Sequence, residues 1–252
     1  MTKQAAGSNR LFVDQYDVSG NVGALSAITA SRALLDVTDI TQTGMDRRGG
    51  LADGSITING WWDGTPGATP AAVHDVFKVA RTNAIVTFWS GITAGSAVSG
   101  LVANQTTYQP VRSPDASLAW TVEAQASAGA GLEWGHGLTT GAQTFASTGY
   151  GSDCDDLAGS PTATAYGAIL YVHLISIASG NITISAVHGA AAAPTTAVTG
   201  CTTGLLTTAG AYRIPSTSST FNLLRYTRLY AVGTFSNAVI VAALVRPIGP
   251  QA

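Results

Sequence analysis

The chain has 252 residues, and only 10% of them are Asp, Glu, Lys or Arg, against roughly 25% in an ordinary globular domain. Its 12 basic and 14 acidic residues leave a formal net charge of −2, so there is no basic footprint for gripping nucleic acid. There is also little charge to hold identical copies apart, which makes self-association the first expectation.

No stretch approaches the ~20 consecutive apolar residues of a membrane helix. The longest apolar run, residues 238–245, suits a buried strand, and the N-terminus lacks the apolar core of a signal peptide. A chain made and kept in the cytosol until assembly is therefore expected. Cys154 and Cys201 are too few for a disulfide framework and read as free thiols.

In chain order, short alternating segments rich in Val, Thr, Ser, Ala and Gly give an all-β pattern. Residues 11–18 open it as an extended segment before a Ser19-Gly20-Asn21 turn, and 33–38 follow as a second strand. Residues 54–62 alternate, with Ile56, Ile58 and Gly60 on one side and Ser55, Thr57, Asn59 and Trp61 on the other. One helix is expected over 71–81, with Thr69 as N-cap and Pro70 in the first turn. Val73, Val76, Phe77 and Ala80 line its apolar face, and His74, Asp75, Lys78 and Arg81 take the rest.

Strands are then expected at 84–89, 99–103 and 116–126, while 129–141 is glycine-heavy and open to either reading. Residues 149–161 have the composition of an exposed loop. Five strands follow at 166–177, 181–188, 211–214, 224–232 and 238–245, with turns at 179–181, 208–210 and 234–237. That spacing without helices argues for an antiparallel sandwich. The expected organisation is an assembly domain at 1–150, a linker at 151–161 and a C-terminal immunoglobulin-like or jelly-roll-like β-sandwich at 162–252.

Candidate chemistry is sparse. His74, His136, His173 and His188 form no metal-ligand spacing and read as surface or hydrogen-bonded strand histidines. Asp153-Cys154-Asp155-Asp156 could recruit Ca²⁺ but lacks the spaced acidic ligands of a binding loop, so a solvated loop is favoured. No Gly-x-Ser-x-Gly elbow occurs, and nothing places Glu123 or Glu133 beside a second carboxylate for glycoside hydrolysis. No enzymatic activity, catalytic residue, metal or cofactor is expected. Of Trp61 and Trp62, one ring should face the core and the other a neighbouring subunit, since exposed tryptophan is normally covered.

The blocks LFVDQYDVSG at 11–20, LLDVTDI at 34–40 and GLADGSITINGWWD at 50–63, followed by a short helix, resemble the opening of major tail (tail tube) proteins of long-tailed bacteriophages. AYGAILYVHL at 165–174 and LLRYTRLYAVGTFSNAVIVAALVRP at 223–247 resemble their C-terminal half, in the same order and spacing. The resemblance implies a mainly β, tail-tube-like sandwich or partly closed barrel with one packed helix and an outward-facing second sandwich. It further implies six-membered rings stacked into a tube that conducts DNA without specific binding. Tape measure and terminator proteins would be partners, and the location would be the virion tail after assembly in the host cytoplasm, with no membrane contact. On this reading Arg47 and Arg48 in the 41–51 loop, together with Trp61 and Trp62, are candidate subunit contacts, and residues 2–9 also reach a neighbour. A capsid decoration or other head protein is one alternative. A carbohydrate-binding host-attachment module is another, with Tyr166, Tyr171, Tyr212, Tyr226 and Tyr230 as its candidate platform.

Overall fold

Alternating apolar side chains build two sheet systems that share strands. The computed structural model describes residues 8–65, 72–112, 117–127, 131–155, 166–218 and 220–247. Among these, fifteen strands join in mainly β topology with a single short α-helix.

The first expected strand is in fact a tight hairpin of β1 (Arg10–Val13) and β2 (Tyr16–Asp17). It reverses at Asp14, whose φ of 50° lies in the left-handed region that Asp tolerates better than most residues. Its amide and carboxylate make three bonds that hold it there. The Asp14 N–H donates to the Ile85 carbonyl at 2.8 Å, and its carboxylate accepts from the Ile85 N–H at 2.9 Å and from Arg81 Nη1 at 2.6 Å. A long hairpin follows, β3 (Val22–Asp36) with β4 (Arg47–Trp61), and then helix α1 (Val73–Phe77). The strands β5 (Ala84–Trp89), β6 (Ala97–Arg112) and β7 (Leu118–Ala126) complete this half.

One sheet runs β2-β1-β5-β6 and the other β3-β4-β7-β6, with the bent β6 in both. Ile56 and Ile58, buried as their alternation requires, meet Leu11, Val86, Leu101 and Trp120 between the sheets. Each such side chain contributes roughly 1.5–3 kcal/mol.

The helix is five residues long rather than the expected eleven, and the positions of Thr69, Pro70 and Ala71 lie outside the described residues. Side chains end it. Arg81 Nε donates to the Val76 carbonyl at 2.6 Å and Gln105 Nε2 to the Phe77 carbonyl at 2.9 Å, taking acceptors a further turn would use. Val73, Val76 and Phe77 bury its inner face in the first core.

Four short strands follow: β8 (Glu133–Gly137), β9 (Gln143–Phe145), β10 (Gly149–Tyr150) and β11 (Cys154–Asp155). Then come β12 (Ile169–Gly189), β13 (Thr196–Thr202), β14 (Gly210–Pro215) and β15 (Tyr226–Val245). The turns expected at 179–181 and 234–237 do not reverse the chain. Instead β12 and β15 pair antiparallel along their whole length, from Ile169↔Val245 to Gly189↔Tyr226. The turn-like residues bend this ribbon. Gly180 and Gly233 have φ of +86° and +150°, and a Cβ on either would overlap a facing carbonyl oxygen, of Thr234 or Asn181. One arm of the bent ribbon pairs with β14 and the other with β13, and both contribute to one core, including Leu170, Leu174, Ile184, Leu229 and Ile240.

The two halves meet through β8, which pairs with β6 on one side and β15 on the other. A third core fills this junction, where Phe12, Ile85 and Trp89 pack on Ile169, Tyr171 and Val241. Strands β9, β10 and β11 also pair with β15. Over the described part of the acidic run Asp153 and Asp155 are exposed, as a solvated loop requires, but both carboxylates are bonded within the chain. Cys154 is buried in β11, Asp155 takes a bidentate bond from Arg225 at 2.5 and 2.7 Å, and Asp153 accepts the Ala193 N–H at 2.7 Å; Asp156 lies outside the described residues. Neither cysteine is in a disulfide, both are buried, and burial pushes the Cys201 thiol up to about 12.

Candidate assembly interface

The β3–β4 hairpin outruns the body that supports it. β4 has β7 as a second neighbour only from Ser55↔Gln125 to Trp61↔Ala119. Beyond Ser55 only β3 and β4 pair, ending at Asp36↔Arg47. Ala52, Asp53 and Gly54 still lie against the body, where Gly54 is buried close to Leu132 and Asp53 accepts Gln125 Nε2 at 3.0 Å, so the free arm is residues 47–51, about 17 Å long at the rise of a β-strand. Both faces of the arm are open. Leu34, Leu35, Val37 and Met45 are exposed, Leu51 is 87% exposed, and Ile40 at the tip is 100% exposed.

Polar bonds order the tip. The Asp36 carboxylate accepts from the Thr38 hydroxyl at 2.5 Å and N–H at 3.0 Å, and Asp39 from the Thr41 N–H at 2.8 Å and hydroxyl at 3.0 Å. Those bonds hold both carboxyls below their ordinary pKa, so the tip carries anionic groups beside bare aliphatics. A lone two-stranded ribbon is marginal in water, and clustered exposed aliphatics mark an interaction surface.

The four sequence-derived contact residues lie on or next to β4 but do not converge. Arg47 and Arg48 sit exposed on the arm, opposite Asp36 and Leu35. Trp61 stands at the other end of the strand, over 40 Å away at the same rise per residue, and is 63% exposed. Trp62 turns inward. Its ring lies 5.5 Å from the His74 ring and its Nε1 donates to the Tyr108 hydroxyl at 3.0 Å, so it serves the first core. Near the root is a groove of about 320 Å³, lined by Arg10, Leu11, Val22, Ala24, Leu25 and Phe88. There β3 has only β4 as a strand neighbour among the described residues, leaving its outer edge open.

Two polar networks at the junction escaped sequence reasoning. Glu133 accepts Arg213 Nε at 2.8 Å and Nη2 at 2.6 Å, and also the Tyr171 hydroxyl. Burial first, and the Glu133 charge second, raise the Tyr171 pKa. In the other network His173 donates from Nδ1 to the Asp14 carbonyl at 2.5 Å, leaving Nε2 to accept the Thr87 hydroxyl at 2.9 Å. Trp89 Nε1 donates to Thr87 Oγ1 at 3.0 Å. Burial lowers the His173 pKa to about 4, against the opposing pull of Asp14. No local motif announces either network, because each joins residues some 40 to 160 positions apart.

The other candidates are likewise separated. His74 contacts the Tyr108 hydroxyl at 3.1 Å, His136 the Thr227 hydroxyl at 3.0 Å, and His188 Nδ1 accepts the Leu224 N–H at 3.1 Å. Among the described residues no group of three His, Cys, Asp or Glu could hold a metal ion, and no helix is long and apolar enough to cross a membrane. The five candidate platform tyrosines are dispersed, with Tyr171 in the junction core and Tyr212 against the second core. Tyr230 stacks at 4.4 Å on Tyr150, over whose ring Arg228 sits at 3.8 Å.

No protein-family model matches the chain, and no curated protein matches it in sequence. Among the solved structures that are distantly similar are the following three. A chain of the virion of the native gene transfer agent particle is 14% identical, with a TM-score of 0.39, over 52% of this chain and 98% of that one. A chain of the anti-feeding prophage baseplate is 10% identical, with a TM-score of 0.38, over 53% and 97%. The SPP1 Dit (gp 19.1) protein, described as a paradigm of the hub adsorption apparatus in phages infecting Gram-positive hosts, is 9% identical, with a TM-score of 0.34, over 94% and 98%.

Proposed function

We propose that this chain is a structural protein of a bacteriophage tail, a tail-tube-like subunit whose copies assemble into rings, six to a ring, that stack around a passage for DNA. The observation that carries the reading is the arm: about 17 Å of ribbon clear of the body, ending in exposed aliphatics, is a device for covering and being covered by another molecule. The order of sequence blocks shared with tail tube proteins supplies the kind of assembly. The sparse, balanced charge supports both, since it neither repels a second copy nor grips a passing polyanion.

The work of such a subunit is mechanical. Arms and sheet edges join copies around and between rings, while a lumen poor in cations lets DNA slide. Tape measure and terminator proteins would cap and fill the tube, within a virion tail assembled in the host cytoplasm, and no catalysis is involved. A glycan platform on the second half has less support, because its candidate tyrosines do not share one open face: Tyr171 is buried at the junction, Tyr212 packs on the second core and Tyr230 is stacked on Tyr150. Negative-stain microscopy of the purified full-length chain tests the proposal. Rings or tubes of fixed diameter are expected, and a monomer at every concentration up to its solubility limit overturns it.

A further inference from the structure

We propose that the tip of the arm seats in the open-edged groove at the root of the same hairpin in a second copy, a head-to-tail contact. The inference rests on the assembly reading above and names the two surfaces that meet.

The groove offers what the tip lacks. Leu11, Leu25 and Phe88 form apolar walls, and along Val22 to Leu25 the outer edge of β3 has no strand beside it among the described residues. Such an edge presents backbone donors and acceptors that an incoming extended segment can take up. The tip brings Ile40 and Met45, both bare, and an extended stretch on either side of its turn.

Charge is complementary as well. Arg10 borders the groove, its guanidinium donates to the Asn9 carbonyl at 3.0 Å, and it makes no ion pair among the described residues. Asp36 and Asp39 at the tip are held ionised by the Thr38 and Thr41 bonds, and the arm's own cations, Arg47 and Arg48, stand behind them on β4. Burying an aspartate against Arg10 gives the contact a direction that aliphatic packing alone would not.

Position makes the contact intermolecular. Gly23 in the groove and Asp36 at the tip are thirteen residues apart on one strand, about 40 Å of contour at the rise of a β-strand, and the register shifts at Val22/Ala24, Leu25/Ala27 and Arg32/Leu34 bend that strand without folding it back. A copy cannot fill its own groove with its own tip. A contact between two different patches of the same chain is heterologous, propagates from copy to copy, and closes into a ring if the rotation per copy divides a full turn.

The test uses the full chain carrying Ile40→Cys and Ala24→Cys together, oxidised under assembly conditions and run on a non-reducing denaturing gel. The native thiols are buried. Residues 24 and 40 of one chain are far beyond disulfide reach of each other. A ladder of disulfide-linked oligomers is expected, with only dimers when the two single variants are mixed. Microscopically normal rings without a ladder overturn the inference and leave the assembly reading standing. No rings from the unmodified chain remove both. In a second arm of the test, Arg10→Asp should raise the concentration needed for assembly by tenfold or more, and adding Asp39→Arg should restore it. Loss without rescue by the swapped pair also overturns the contact.

Discussion

The two halves of the molecule treat their scarce charges and their apolar surface differently. In the second half the arginines are engaged within the chain: Arg213 with Glu133, Arg225 with Asp155, Arg228 with the Pro194 carbonyl at 2.7 Å, and Arg246 with the Leu223 carbonyl at 2.8 Å. In the first half Lys78 and Arg81 pair with Asp75 and Asp14, whereas Arg10, Arg32, Arg47 and Arg48 make no ion pair among the described residues, and the densest exposed aliphatics lie on the arm. Low overall charge is thus not spread evenly as interface. The second half binds its four arginines within the chain, while the first half carries the exposed aliphatics of the arm.

The most severe way to test that contrast is to remove the arm. Replacing residues 34–49 by an Asn-Gly turn, which suits a tight hairpin, should abolish assembly while the monomer melts within a few degrees of the parent. Full-sized rings from that variant would break the contrast.

The next largest effect lies at the junction. Glu133→Ala leaves Arg213 and the Tyr171 hydroxyl half-buried without their acceptor, and breaking a buried pair from one side costs about 3–5 kcal/mol. For a chain of this size that corresponds to a fall of roughly 10 °C in melting temperature. A fall near 1 °C would mean that the halves do not depend on this ion pair.

Acid should act on the same junction through His173. Its folded pKa of about 4 lies below the ordinary value of 6.5, so folding favours the neutral ring. The stability this provides is complete above pH 6.5, is lost as pH falls towards 4, and amounts to at most about 3 kcal/mol. His188, also lowered by burial and then by Arg246, contributes in the same sense. Urea unfolding of His173→Gln against the parent separates them: the variant should show a flatter decline between pH 6.5 and 4, and an unchanged slope would assign the whole effect elsewhere.

Much of this arrangement was legible in the sequence because period-2 alternation is a local signal. Residues 54–62 gave the buried face of β4 directly, and the run 238–245 gave the buried end of β15. The failures are all cases where a distant residue overrides a local one. Gly180 and Gly233 have turn composition, yet each faces the partner strand and bends a ribbon instead of ending it. The helix stops early because Arg81 and Gln105 take its carbonyls. Cys154 and Asp155 pair with β15 as a short strand, where Arg225, seventy residues later, holds Asp155. Within the arm the pattern marks 33–38 as a strand and 41–51 as a loop with two arginines, but the length of the free part depends on where the supporting body ends, and nothing within 31–51 encodes that.

The smallest expected effect on folding is also the most discriminating between the halves. Ile40→Ser and Leu51→Ser replace side chains that touch almost nothing in the isolated chain, so each should leave unfolding free energy within about 0.5 kcal/mol of the parent. Leu170→Ala and Ile240→Ala, in the second core, should instead cost about 2–5 kcal/mol each. Assembly should respond in the reverse order at equal folded concentration. The arm variants should require markedly higher concentration to form rings, and the core variants little more than the parent as long as they remain folded. If the arm substitutions lower the monomer's own stability as the core ones do, the arm packs on its own chain in solution and the contrast between an open half and a closed half fails.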